Sequence, residues 1–355
     1  LAQDVVVVGG GIAGLAIAWE LLTRPGLLPE GVEVHVLEAA SRAGGNIRTE
    51  HRDGYVCEWG PTGFLDDVPA TLDTCHRLGL GPRLTPANGE AERRFIVRHG
   101  KLRELPSGAM SFLRSDVLTL GGRLRVFAEP LVPPRRSDED ESVFDFAKRR
   151  IGREAASVLV DALVTGIWAG SADRLSLRSA LPKLAALERD HGGLVRGLIA
   201  NRGRGGSATG PRGRLTSFPD GLSELPAALA TALGARLRLN TRVTSIERRP
   251  GVGFRVAIDG APSVEASTVV LACPSWLAAP LLAEVDGSLA MQVGGIPSVP
   301  VAVLHLGFAR EDAQGLTGFG FLIPRGESAS VLGVLVPSNI FPGRAPEDHV
   351  LATVM

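Results

Sequence analysis

Four consecutive valines, Val5 to Val8, run directly into Gly9-Gly10-Gly11-Ile12-Ala13-Gly14, and from Leu15 to Leu22 apolar residues recur with helical spacing. After a turn-rich stretch around Pro25, Gly26, Pro29 and Gly31, residues 32 to 37 alternate as a second strand that ends at Glu38. A strand, a glycine turn, a helix and a second strand closed by an acid spell a βαβ unit. Each glycine has a task in such a unit: Gly9 permits the tight turn, Gly11 lets the backbone approach a pyrophosphate, and Gly14 lets the helix pack closely on the sheet. Free N–H groups at the helix start meet the negative charge, and Glu38 accepts hydrogen bonds from a ribose diol. An ordinary glycine-rich turn is the other reading of the motif.

The turn alone does not separate one dinucleotide from another, so the next residues decide. Glu38-Ala39-Ala40-Ser41-Arg42-Ala43-Gly44-Gly45-Asn46 has an E-x(3)-R-x-G-G layout. In that layout the chain resembles the superfamily of flavin amine oxidases, phytoene desaturases and protoporphyrinogen oxidases. The chemistry agrees with a flavin: Arg42 can neutralise phosphate charge, and Gly44-Gly45 lets the chain pass beside an extended cofactor. A surface arginine beside a turn is the other reading of Arg42.

Three further segments resemble the protoporphyrinogen oxidase family in particular. Glu58-Trp59-Gly60-Pro61-Thr62-Gly63-Phe64 is similar to its G-P-x-x-F turn; Thr165-Gly166-Ile167-Trp168-Ala169-Gly170 with Leu175-Ser176 is similar to its T-G-I-[YF]-A-G…L-S signature; Gly318-Phe319-Gly320-Phe321-Leu322-Ile323-Pro324 is similar to its G-F-G-x-L-[VI]-P strand. The resemblance runs from Val5 to the last residue, in matching order and spacing.

It implies an α/β protein: a Rossmann-like, glutathione-reductase-type FAD-binding domain, a β-sheet-based substrate domain and an inserted helical domain that in the family associates with membranes. The expected division is 1–90 with 216–290 for FAD, 91–106 with 291–355 for substrate, and 107–215 for the helical part. Cofactor contacts carry over to Gly9, Gly10, Gly11, Ile12, Ala13, Gly14, Glu38, Ala39, Arg42, Asn46, Gly60, Pro61, Thr62, Gly63 and Val243; Val243 also reads as an ordinary core position. Substrate contacts carry over to Gly166, Phe319, Gly320, Leu322 and Met355, with Arg94 as the basic residue for a propionate. Phe319 and Leu322 also read as strand core, Arg94 as a surface arginine, and Thr62 stands where some members carry a longer basic residue.

The chemistry implied is hydride transfer from a meso carbon of protoporphyrinogen IX to FAD, with dioxygen as the final acceptor and hydrogen peroxide as by-product. No protein acid–base constellation is required for that, and the sequence offers none. The seven histidines are scattered; His51, His191 and His305 show no ligand spacing and read as structural or exposed. Coproporphyrinogen III is the alternative substrate, and its additional carboxylates demand additional basic residues. A different flavin amine oxidase, a carotenoid desaturase, or a non-catalytic flavin- or porphyrin-binding protein are further alternatives.

Composition narrows the rest. The 355 residues carry 38 basic and 38 acidic side chains, so nothing argues for a nucleic-acid partner. Cys57, Cys75 and Cys273 are too far apart for a disulfide framework or a metal cluster. The uncharged stretch 291–309 is broken by Gly294, Gly295, Pro297 and Pro300 and is not a membrane span. A reducing, cytoplasmic location with peripheral contact on the inner face of the cell membrane is the expectation, and a homodimer is left open. Between Asp190 and Asp220 five arginines (Arg196, Arg202, Arg204, Arg212, Arg214) amid Gly, Ser and Pro predict an exposed mobile loop, with contact with a membrane surface or an anionic ligand as the other reading. The strand start at Val5 leaves no room for a signal peptide, and a stop at Met355 within an expected strand, short of the family's glycine-rich return segment, predicts a truncated chain with weakened flavin retention.

Overall fold

The computed structural model describes residues 4–137, 139–201, 213–251, 253–327 and 330–355. Strand β1, Val5–Val8, is buried along its whole length. Its alternation sorts the four valines between two layers. Val5 and Val7 pack with Leu15, Ala18 and Trp19 of helix α1 (Ile12–Thr23) and with Leu229 of the helix Glu224–Leu233. Val6 and Val8 face Ile246, Val256 and Ile258 of an antiparallel meander built from Val243–Arg249, Gly253–Ile258 and Ala261–Ala266. β1 is thus the middle of a helix–sheet–sheet sandwich. The central sheet runs Leu237–Arg238, β2 (Val34–Leu37), β1, Thr268–Leu271, every pair parallel.

Two segments that alternate like single strands, 237–246 and 264–272, are each divided. The segment 237–246 breaks at Asn240, which adopts φ +53°. There the Asn240 N–H donates to Ala40 O and the Thr241 N–H to Glu38 O, so the chain leaves the parallel sheet beside the Glu38 loop and enters the meander. The segment 264–272 divides likewise at Ser267, whose N–H donates to Asp4 O. In both cases apolar residues recur at strand spacing on either side of the break, so the alternation alone does not reveal it.

A second, six-stranded sheet runs Leu304–Ala309, His349–Val354, Gly333–Leu335, Gly320–Leu322, Phe95–Arg98, Lys101–Glu104. Only the pair 320–322 with 95–98 is parallel, Phe321 opposite Phe95 and Leu322 opposite Ile96. The hairpin 95–104 turns at His99-Gly100, where both residues adopt positive φ.

Helices dominate the described residues between 109 and 201. They are pinned by Arg150, fully buried, which pairs with the equally buried Glu129 and lies 3.3 Å from Glu188. Glu129 also accepts the N–H groups of Leu194 and Val195, at 2.8 and 3.0 Å, and so caps the helix Leu194–Asn201. The predicted loop from 190 to 220 is therefore shorter than expected: Arg196 is helical, Arg214 leads into the strand Leu215–Ser217, and Arg202, Arg204 and Arg212 lie outside the described residues. Among the described residues no helix is long and apolar enough to cross a membrane.

Candidate functional site

The turn after β1 is shaped by what a side chain would strike. A Cβ on Gly14 would collide with the Gly9 carbonyl, so α1 starts this close to the sheet only because Gly14 has none. Gly11 is the opposite case. It caps α1 with ordinary extended torsions, and a Cβ there would find nothing nearer than Gly45 Cα at 3.9 Å. Neither strain nor crowding among the described residues calls for a glycine there, and its bareness leaves an opening in which a ligand could approach the backbone. Gly11 offers no capping side chain, so the first N–H groups of α1, those of Ile12, Ala13 and Gly14, are left at that end of the helix without a helix partner.

The Glu38 carboxylate closes one side of the opening. Its Oε2 accepts the Gly10 N–H at 2.6 Å and its Oε1 the Ala40 N–H at 2.7 Å. Ala39 lies between these anchors, and the remaining acceptor capacity of Glu38 suits a vicinal diol. The chain then folds back: Gly44 N–H donates to Gly10 O at 2.8 Å, and Gly11 and Gly44 form a parallel bridge. Arg42 braces this return, its guanidinium donating to the carbonyls of Ala43, Ile47 and Gly45 at 3.2, 3.2 and 2.6 Å. Its hydrogen bonds thus hold the loop. Asn46 and Gly60 touch, since a Cβ on Gly60 would collide with Asn46 O. Pro61 and Thr62 follow on the same outer loop, and Val243 stands at the head of its strand opposite Ile258. A turn free of side chains, unpaired helix-start N–H groups and an anchored carboxylate fit a dinucleotide.

The substrate candidates gather next to that loop. A Cβ on Gly63 would lie 3.2 Å from Leu215 Cδ1 and 3.3 Å from Phe341 Cζ. Phe319 packs in the same cluster, with Leu215, Ile340 and Phe341. The loop that ends at Gly63 and the segment of Phe319 therefore share neighbours. Arg94, exposed, holds its guanidinium 5.1 Å from the centroid of the Phe319 ring. Leu322 meets Gly166 of the helix Asp161–Trp168 so tightly that a Cβ on Gly166 would sit 2.5 Å from Leu322 Cδ2. Gly320 heads the strand between them, and Met355 lies in the same row as Leu322 across the sheet, with Gly333 opposite Leu322 and the Met355 N–H donating to Gly333 O at 3.1 Å.

Several neighbours have contacts that the motifs alone do not give. Glu58, buried just before the Gly60 loop, accepts the Leu222 N–H and the Thr49 hydroxyl, both at 2.7 Å, and lies 3.4 Å from buried Arg344. Burial still pushes its carboxyl above the usual range, the hydrogen bonds and Arg344 offsetting only part of that. Trp59 packs edge-on against His305 at 5.0 Å, and burial pulls the imidazole below its ordinary value, so His305 is a packing residue. Among the described residues no cluster of His, Cys, Asp or Glu could hold a metal.

The sequence pattern of the family described as flavin containing amine oxidoreductase matches residues 12–355. The chloroplastic protoporphyrinogen oxidase of Oryza sativa subsp. japonica is 33% identical over 99% of this chain and 69% of its own length. The chain belongs to this flavin oxidoreductase family, on its protoporphyrinogen oxidase branch. FAD is accordingly its cofactor, and the turn around Gly11 and Glu38 is where the residues fit it. The branch is mixed: the coproporphyrinogen III oxidase of Bacillus subtilis is 29% identical over 98% of this chain and 76% of its own length. A solved structure from Exiguobacterium sp., described as a candidate protoporphyrinogen oxidase, superposes with a TM-score of 0.81 at 26% identity, covering 100% of this chain and 77% of that one. The α/β FAD-binding architecture of the family is thus the architecture of this chain.

Proposed function

We propose that this chain oxidises protoporphyrinogen IX to protoporphyrin IX, with dioxygen as electron acceptor and hydrogen peroxide released. Bound FAD supplies the hydride acceptor and the reaction with dioxygen. The protein's share is to bind, orient and keep dry. The observation that carries the reading is the common packing of Gly63 and Phe319 on Leu215 and Phe341, which sets the cofactor loop beside an apolar strand. A flat hydrophobic macrocycle asks for such walls and few polar anchors. Phe319 and Leu322 would face its rings, the Gly166 carbonyl would accept pyrrole N–H groups, and Arg94 would pair with a propionate. Arg94 is in no ion pair among the described residues, so it has charge to offer.

In this reading the labour divides as 1–90 with 216–290 for FAD, 91–106 with 291–355 for substrate and 107–215 for the helical part; the parallel sheet within the first and the six-stranded sheet within the second support it. Exposed Met110, Leu113, Leu120, Leu124, Phe127 and Leu131 on neighbouring helices of that part, interspersed with Arg114 and Arg123, suit peripheral contact with a membrane.

A second reading, coproporphyrinogen III as substrate, is favoured by the Bacillus subtilis relative. Initial rates on the two porphyrinogens, corrected for autoxidation and read as porphyrin fluorescence, decide between them. A higher kcat/KM on protoporphyrinogen IX supports the first reading; a higher value on coproporphyrinogen III replaces it with the second.

A further inference from the structure

Arg325 has no part in the assignments above, yet it is the side chain that ties the two substrate walls together. It stands three residues past the strand Gly320–Leu322 and reaches both ends of the helix Asp161–Trp168, which carries Gly166. Its Nη1 donates to Ser171 Oγ at 2.6 Å, its Nη2 donates to the Gly170 carbonyl at 2.8 Å, and its Nε lies 3.4 Å from Asp161 Oδ2. Asp161 is the buried first residue of that helix, and its other oxygen accepts the Ala172 N–H at 3.2 Å. One guanidinium therefore grips the helix at its beginning and just past its end. The end is itself fixed: Ala169 closes the helix at φ +50°, and the Thr165 hydroxyl donates to the same Gly170 carbonyl at 3.3 Å.

The contact that Arg325 brackets is the one between Gly166 and Leu322, which is van der Waals in kind and resists approach but not sliding. Hydrogen bonds from a planar fork are directional and supply the missing constraint. One face of the same helix carries Leu163 and Ile167, 43% and 59% exposed, one turn apart on either side of Gly166. An apolar face left open beside a candidate substrate contact is the wall a macrocycle would cover.

We propose that Arg325 is a positioning residue that holds the face formed by Leu163, Gly166 and Ile167 in register with Leu322, and thereby sets affinity for the macrocycle. The proposal rests on the porphyrinogen reading of the site. Because the Arg325 side chain is half exposed, its direct weight in stability is small and its effect is geometric.

The test uses FAD-loaded protein as wild type, Arg325→Ala and Arg325→Lys, with Ser171→Ala as a milder cut of the same network. Protoporphyrinogen IX kinetics are measured beside a titration with protoporphyrin IX followed by tryptophan quenching, for which Trp168 is at hand. Arg325→Ala is expected to raise KM and the protoporphyrin Kd by on the order of tenfold, with kcat within about twofold and flavin content unchanged. Arg325→Lys recovers part of the loss, and Ser171→Ala shifts both constants in the same direction by less. An unchanged KM and Kd in a folded Arg325→Ala overturns the proposal; so does parallel loss of kcat and flavin, which would make Arg325 a general fold staple. Absence of turnover in wild type would overturn the enzyme reading alone, and the titration would still decide the role of Arg325.

Discussion

Glu38 accepts a 2.6 Å hydrogen bond from the backbone N–H of Gly10, which links the end of the second strand to the first turn of the chain. With the Ala40 N–H on its other oxygen the carboxylate is fixed before any ligand arrives. Replacing Glu38 by Ala removes the acceptors for the ribose diol and frees the turn. Hydrogen bonds to a charged group contribute about 1.5–3 kcal/mol each, so FAD affinity is expected to fall roughly 10- to 100-fold. Titration of apoprotein with FAD, followed by flavin fluorescence quenching, measures it; Glu38→Gln is expected to fall between.

Gly11 and Gly14 separate a ligand's demand from the fold's own. Gly11→Val has open space around the new side chain, so the apoprotein keeps its Tm while flavin retention is lost. Gly14→Ala drives a methyl into the Gly9 carbonyl and is expected to lower Tm of the apoprotein itself. Flavin content and apoprotein melting, measured on both variants, form the check. Full yellow colour in Gly11→Val would place the pyrophosphate elsewhere.

Arg94 stands on the Phe319 ring with its charge facing outward. Arg94→Ala is expected to raise KM for protoporphyrinogen IX by about tenfold, the worth of one charge-assisted contact, with flavin content unaltered. Steady-state kinetics with a parallel flavin count test it. A change confined to kcat would remove Arg94 from substrate binding.

Glu58 predicts a pH dependence with a definite sign. Burial raises its carboxyl above the ordinary value of 4.5 in the folded protein. The folded state therefore holds this proton to higher pH than the unfolded chain does, and the associated stability is complete below the unfolded value and lost as pH rises through the folded one. Glu58→Gln lacks this titration. The Tm of wild type minus that of Glu58→Gln is expected to decrease as pH is raised from about 4 towards neutrality. An increase over that range would contradict the role given to burial.

Much of this was readable along the chain, where local rules suffice. β1, α1, β2 and Glu38 follow from a period of two, a glycine turn and a period near 3.6, and each lies where those patterns place it. What escaped depends on partners far off in sequence. The break at Asn240 is set by the carbonyls of Ala40 and Glu38, since the apolar pattern of residues 237–246 suits either sheet. The helix 194–201 owes its start to Glu129, some 65 residues earlier. Arg42 was visible as a cation near a phosphate site, but its use as a loop brace needs the carbonyls of Ala43, Gly45 and Ile47 in place. Arg325 was passed over altogether, because its partners sit 154 and 155 positions away.

The most direct test of the central claim is anaerobic mixing of the FAD-loaded protein with protoporphyrinogen IX, with the visible flavin band and porphyrin fluorescence recorded together. The band is expected to bleach as porphyrin appears, and to return on admission of air with release of hydrogen peroxide. A flavin band that persists while the porphyrinogen stays reduced would contradict the assignment of this chain as a porphyrinogen oxidase.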